Sequence, residues 1–216
     1  MEEAKSHLKF WATTIVIIAV AIYGVIILAA DSVPDTGTPD KIGNYDWVRG
    51  NPEATVELIE YSDFQCPACG GATEIAQLLM NEFYDHVAFT YRHFPLGYHE
   101  NAKSAAAATE AAGLQGKFWE MHDTIFANQK EWGREDASEV FEYYVWYAEE
   151  IGLDIDEFVE DYGSSKVQKA IQDDIDDAMQ IGINATPTFF LNGEKVTNRD
   201  YDVFRQAIRD AIKENS

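Results

Sequence analysis

Two cysteines in 216 residues are too few for the disulfide framework that holds small secreted domains together, so this fold must stand on buried apolar surface. Basic residues are scarce as well: 16 lysines and arginines against 38 aspartates and glutamates give a formal net charge of -22. A surface of that sign repels phosphate backbones and anionic headgroups, which excludes a nucleic-acid role. Its plainest meaning is solubility, in salty surroundings included; a surface that draws in basic client segments is the sharper meaning. Internal repeats and low-complexity segments are missing too. What is left, 46% hydrophobic and 25% charged, suffices for one domain of ordinary size with a core, plus an appendage.

The appendage is N-terminal. The 21 residues from Phe10 to Ala30 carry no charge and, at about 1.5 Å per residue, would span roughly the 30 Å of a bilayer's hydrocarbon core. Lys5 and Lys9 precede this run, whereas Asp31, Asp35 and Asp40 follow it and no basic residue appears before Lys41. Counting basic residues, residues 1–9 stay in the cytoplasm and the rest of the chain goes out. A cleaved signal peptide would have a shorter apolar run and a small-x-small site, where this sequence has Leu28. An uncleaved transmembrane helix over 10–30 is therefore expected, with the remainder extracytoplasmic, where disulfides persist.

Residues 31–51, rich in Pro, Gly and Asp, read as a tether. Thr55–Tyr61 reads as a strand that becomes buried. Ala72, Ile75, Ala76, Leu79 and Phe83 mark one face of a helix, and Val87–Phe94 reads as a second strand. From about 101 to 180 the pattern is helical, with a stretch opened by Ser138 as its cap and closed by Gly152. In the last of these helices Asp173, Asp174, Asp176 and Asp177 fall mostly outside the apolar face. Asn192-Gly193 between two β-rich runs signals a hairpin, and a final amphipathic helix ends the chain. The order predicts an α/β domain over 52–216 with a helical insertion at about 101–180.

Both cysteines lie at the end of the first strand and the start of the helix, in Cys66-Pro67-Ala68-Cys69. A structural zinc site would need two more ligands, and His93 and His99, flanking a Phe-Pro turn, form no ligand pair. A purely structural disulfide would close a loop so short that it constrains little of the unfolded chain. Disulfide exchange, by contrast, needs a thiolate at a site that favours negative charge and a second thiol nearby. A helix start offers that site, and Pro67 fits just inside it. On these grounds Cys66 is the expected nucleophile and Cys69 the resolving thiol.

These motifs, with Tyr91-Arg92-His93-Phe94-Pro95-Leu96, the stretch from Gln115 to Phe126 and the run from Ile183 to Gly193, resemble the DsbA-like thiol-disulfide oxidoreductases of the thioredoxin superfamily. The similarity covers about residues 52–216. It implies a thioredoxin-like fold with an inserted helical subdomain. It implies that Pro187 is the cis-proline facing the cysteine loop, that Thr186 offers backbone to an extended client, and that Glu60 is a buried acid serving Cys69. A histidine precedes the second cysteine in the best-known member; Ala68 stands there here, which puts strong oxidising power in question. Asn184-Ala185-Thr186 fits a glycosylation pattern but abuts the proline loop, which argues against modification. Phe141, Tyr143, Tyr144, Trp146 and Tyr147 read as core between insertion and sheet, and His93 and His99 as packing residues.

The expected activity is introduction of disulfides into exported proteins. No metal or organic cofactor is expected, the Cys66–Cys69 disulfide being the redox centre. The expected partners are cysteine-containing clients and a quinone-linked membrane protein for reoxidation. A reductase or isomerase of the same fold, and a client-holding chaperone that does not need its cysteines, are the alternatives.

Overall fold

The computed structural model describes residues 37–215. The expected transmembrane span at 10–30 and the first residues of the tether, 31–36, lie outside them. Among the described residues no helix is long and apolar enough to cross a membrane.

The sheet has five strands in the order β1-β3-β2-β4-β5: β1 (Val48–Gly50), β2 (Val56–Ser62), β3 (Val87–His93), β4 (Thr188–Leu191) and β5 (Glu194–Lys195). β2 and β3 run parallel, and α1 (Pro67–Phe83) connects them; β1 lies antiparallel on β3, and β4 antiparallel on β2. Side chains alternate across the sheet, which divides the core. Leu58, Phe89 and Phe189 pack beneath Ala76 and Leu79 of α1 and Phe204 and Ile208 of α8 (Tyr201–Glu214). Ile59, Tyr61 and Phe190 face the other way, onto Ala178, Ile181 and Ile183. Burying each such Leu, Ile or Phe stabilises by about 1.5–3 kcal/mol. The expected hairpin is present: Asn192 and Gly193 turn β4 into β5 with φ of 50° and 83°, as a two-residue turn between twisted strands requires.

The insertion comprises α2 (Ala102–Leu114), α3 (Phe118–Ala127), α4 (Gln129–Trp132), α5 (Val140–Glu150), α6 (Ile155–Tyr162) and α7 (Ser165–Gln180). Its alanines let α2 sit at the centre, with ten of its residues buried. The aromatic residues of α5 pack within this helical layer rather than against the sheet: Tyr144 meets Trp132 and Tyr162, while Trp146 is exposed. The helix begins one residue later than Ser138 suggested, with Glu139 as the residue flanking its start, because 136–139 form a turn of their own. Asp154, Ser164 and Asp200 cap α6, α7 and α8.

Two expectations are corrected here. The end of the tether is part of the domain: Val48–Gly50 forms the edge strand β1, and Trp47 stacks on Phe118 with ring centroids 5.6 Å apart. Three residues are too few for a strand pattern to show, and a Pro/Gly-rich prelude concealed it. The acidic row on α7 is not wholly solvent-facing either. Asp177 pairs at 2.9 Å with Arg92, a guanidinium almost fully buried that also holds Asp46 at 2.9 Å and the carbonyls of Asp40 and Lys41. Asp174 accepts the backbone N–H of His93 at 2.8 Å. Asp173 and Asp176 are exposed, as expected.

Candidate active site

β2 runs into the cysteine loop through Asp63, a buried carboxylate that fixes the loop's path. It accepts from the backbone N–H of Gln65 at 2.7 Å, the backbone N–H of Leu96 at 2.7 Å and His99 Nδ1 at 2.8 Å. Gln129, at the start of α4, donates from its side chain to the carbonyls of Phe64 (2.7 Å) and Cys66 (2.9 Å). The insertion thus holds the loop from outside while Asp63 holds it from within.

Cys66 occupies the flanking position before α1 in an extended conformation (φ -72°, ψ 120°), with Pro67 as the first helical residue. No side-chain oxygen caps this helix, and the N–H groups of Ala68 and Cys69 in its first turn bear on the Cys66 sulfur instead. The Cys66 thiol is lowered to about 5, chiefly by the hydrogen bond from the Cys69 thiol; the N–H groups of Cys69 and Ala68 and the Thr186 hydroxyl add to the effect, against burial. Cys69 is fully buried and its thiol is pushed well above the ordinary range, first by burial, then by its bond to Cys66 and by the nearby Glu60 carboxyl. One thiol is poised as an anion and the other held as the proton donor to it.

Across from the pair lies the Thr186–Pro187 peptide, which is cis. The Cys66 thiol reaches the Thr186 carbonyl at 3.8 Å, and Arg199 Nη1 donates to the Pro187 carbonyl at 2.8 Å. Beneath the pair, Glu60 is 1% exposed, and burial raises its carboxyl to about 8. The structure therefore brings Cys66, Cys69, Glu60, Thr186 and Pro187 to one place. Among the described residues no group of three or more His, Cys, Asp or Glu is arranged to hold a metal.

A strand–helix junction carrying two cysteines, opposite a cis-proline that opens the next strand, is accompanied by a match of residues 43–210 to the thioredoxin family. The chain belongs to the thioredoxin family. Among solved structures, BdbD from Bacillus subtilis superposes with a TM-score of 0.71 over 82% of this chain and 97% of that one at 23% identity. DsbA2 from Pseudomonas aeruginosa does so with a TM-score of 0.59 over 80% and 96% at 26% identity. These neighbours bear out the resemblance to DsbA-type proteins. A curated relative, named Na(+)/H(+) antiporter NhaA 1 from Mycobacterium sp. (strain KMS), is 41% identical over 155 residues, 69% of this chain. The chain spans about a quarter of the length of the curated relatives it matches, 24% for this one, and the antiport of their name stays with them.

Several contacts that shape this thioredoxin-family site were not foreseen. Asp63 to Gln65 is a local Asx turn, and an Asp ending a strand two residues before a loop residue was a legible sign of it. Gln129 and Arg199 gave no sign, since their bonds close over 63 and 12 residues of sequence and depend on tertiary packing. His93 and His99 are packing residues as expected, each tied to a carboxylate: His93 to Glu110 at 3.0 Å and His99 to Asp63.

Proposed function

We propose that this protein is a membrane-anchored thiol-disulfide oxidoreductase whose domain lies outside the cytoplasm and introduces disulfides into exported proteins. The observation that carries the chemistry is the split between its two thiols, Cys66 lowered to about 5 and Cys69 raised and fully buried. Thiol-disulfide exchange needs that asymmetry: one sulfur to meet the client, one to close the pair. The names of the DsbA-type neighbours support the same chemistry.

In the oxidising direction a client thiolate attacks Cys66 Sγ of the Cys66–Cys69 disulfide. That bond breaks, and Cys69 leaves with the electron pair and takes up a proton. A second client thiolate attacks the client sulfur of the mixed disulfide, and Cys66 departs as a thiolate stabilised by Cys69 and the helix N–H groups. The client is oxidised by two electrons and the pair reduced by two. Thr186 and Pro187 present backbone to the extended client. An open groove of about 700 Å³ beside Cys66, lined by Gln65, Pro67, Gly70, Glu74, Phe126 and Arg134, receives its side chains. With no third cysteine in the chain, the electrons pass to an outside partner, of the quinone-linked membrane type. The charge-free run from Phe10 to Ala30, preceded by Lys5 and Lys9, supports the anchor and its orientation.

Trapping the pair by thiol alkylation in growing cells tests the direction, together with its reduction potential. A mostly oxidised pair and a potential nearer DsbA's (about -120 mV) than thioredoxin's (about -270 mV) support an oxidase. A mostly reduced pair overturns that direction in favour of a reductase or isomerase. Cys66→Ser abolishes exchange; retained oxidation of a reduced client would overturn the redox reading altogether.

A further inference from the structure

Each turn of the proposed cycle requires Cys69 to gain or lose a proton, yet its side chain has no access to water. Glu60, the acid nearest it, is buried to the same degree, so it too is cut off from the bulk. A proton held by Glu60 has to come from somewhere and go somewhere.

The sheet supplies a continuation. Glu60 and Ser62 on β2 stand opposite Tyr91 and His93 on β3 in the parallel register, so the four side chains form a two-by-two block on one face. All four residues are 2% exposed or less. Each carries a buried polar atom without a protein partner: Glu60 Oε1, Ser62 Oγ, Tyr91 OH and His93 Nδ1. Four such atoms in adjacent positions are unusual, because leaving one buried polar group unsatisfied costs about 1–3 kcal/mol. The Ser62 hydroxyl lies close enough to Glu60, Cys69 and Tyr91 to favour the charged form of each by hydrogen bonding, without a well-aligned bond to any of them. At the far end His93 Nε2 meets Glu110 Oε1 at 3.0 Å. Glu110 and Tyr91 line a cavity of about 300 Å³ that Asp174 and the exposed Lys166 and Lys169 also border, so it opens to solvent.

We propose that Ser62, Tyr91, His93 and Glu110 continue the Glu60 site into a buried proton path, leading from Cys69 to the cavity between α2 and α7. The inference rests on the redox reading of Cys66 and Cys69. When Cys69 attacks a mixed disulfide at Cys66, its S–H proton passes by way of Ser62 to one oxygen of Glu60, as the proton that Glu60 already holds leaves from the other. The Cys66–Cys69 bond forms, and the departing thiolate takes its own proton from solvent. The proton released by Glu60 goes on through Tyr91, His93 and Glu110. Hydroxyl rotation and ordered water, which buried polar atoms commonly hold, bridge the gaps. Charged and titratable groups face this path from each neighbouring element: Asp63 and His99 beside the loop, His122 on α3, Asp174 on α7 and Arg199 before α8. Burial holding Asp174 up at about 7 suits a group that exchanges protons with the cavity.

Ser62→Ala, Tyr91→Phe and Glu110→Gln test the path. The first two delete an oxygen that has no partner, so a purely structural role predicts no loss of stability and no change in rate. The measurement is rapid mixing of the reduced protein with oxidised glutathione from pH 5 to 9, following resolution of the Cys66 mixed disulfide by Cys69. Resolution at least about tenfold slower in the variants is expected, the low side of what a positioned proton-transfer group supplies. Alkylation of Cys66 in all three, and unfolding by urea in Ser62→Ala and Tyr91→Phe, stay as in the wild type. Resolution within twofold of wild type at every pH in all three variants overturns the path and leaves the redox reading standing. Slower alkylation of Cys66 in step with slower resolution also overturns it, since the substitutions would then act on the thiol pair itself. A wild-type protein that never resolves the mixed disulfide overturns the redox reading instead.

Discussion

The lowered Cys66 thiol fixes how the reduction potential of the pair moves with pH. Reduction of the disulfide takes two electrons, and the number of protons taken up depends on which thiols are ionised. Below about 5 both sulfurs are protonated when reduced; above it Cys66 stays a thiolate and only Cys69 takes a proton, because its own thiol lies far above the working range. For a two-electron couple each proton contributes about 30 mV per pH unit, so the slope is about 60 mV per unit below the break and about 30 mV above it. At pH 7 the two units between pH and Cys66 favour the reduced form by about a hundredfold. That makes the disulfide about 60 mV more oxidising than the same pair with an ordinary thiol. The assay is equilibration with glutathione redox buffers from pH 4 to 8, with reduced and oxidised protein counted after alkylation. A slope near 60 mV per unit persisting through pH 7 would mean that Cys66 is an ordinary thiol and would refute the reasoning.

Other outcomes follow from the buried charges. Glu60→Gln stabilises the protein at neutral pH: a carboxyl raised from 4.5 to about 8 holds its proton in the fold but loses it on unfolding, which costs about 3 kcal/mol at pH 7. The sign is that of a raised group, so this penalty is absent below about pH 4.5, grows up to about 8 and is constant above. Urea unfolding of both proteins across that range checks it, and a gap that does not widen with pH would contradict it. Arg92→Met leaves Asp46 buried without its partner and destabilises by about 3–5 kcal/mol; a change under about 1 kcal/mol would show the network to be dispensable. Gly113→Ala puts a Cβ 2.6 Å from the Trp47 ring, so the segment before β1 must lift off α2. A loss of about 1–3 kcal/mol and brighter, red-shifted tryptophan emission are expected, and an unchanged spectrum would count against the docking of Trp47.

The local parts of this fold could be read directly. The run from Thr55 to Tyr61, the helical face through Leu79 and the Asn192-Gly193 turn each state their structure within a few residues, and the structure agrees with all three, the strand running from Val56 to Ser62. The cysteine pair was legible for the same reason, since a strand end, Pro67 and a helix start are neighbours in sequence. What could not be read depends on distance. The edge strand Val48–Gly50 exists because β3 and α2 give it something to lie on, and three residues have no periodicity of their own. The aspartates of α7 looked alike; only the position of Arg92 and His93 separates Asp174 and Asp177 from Asp173 and Asp176. Ser62 and Tyr91 read as ordinary strand residues, and only the register of β2 on β3 sets them beside Glu60 and beneath Cys69.

Ala68 seemed to weaken the site, since it leaves no side chain between the cysteines to steady a thiolate. The geometry moves that task onto groups that do not depend on residue 68. The largest contribution to the Cys66 anion is the Cys69 S–H, and what residue 68 supplies is its backbone N–H. A donor of this kind works only if Cys69 keeps its proton, and its complete burial beside the raised Glu60 carboxyl ensures that it does. The acidity of the outer thiol and the inertness of the inner one are thus one property, set by the burial of Cys69 beside Glu60 rather than by the residue between the cysteines. It follows that placing a histidine at position 68 shifts the potential less than opening the floor of the site at Glu60 does. Potentials of Ala68→His and Glu60→Gln measured at one pH decide between them, and a larger shift from Ala68→His would return the control to position 68.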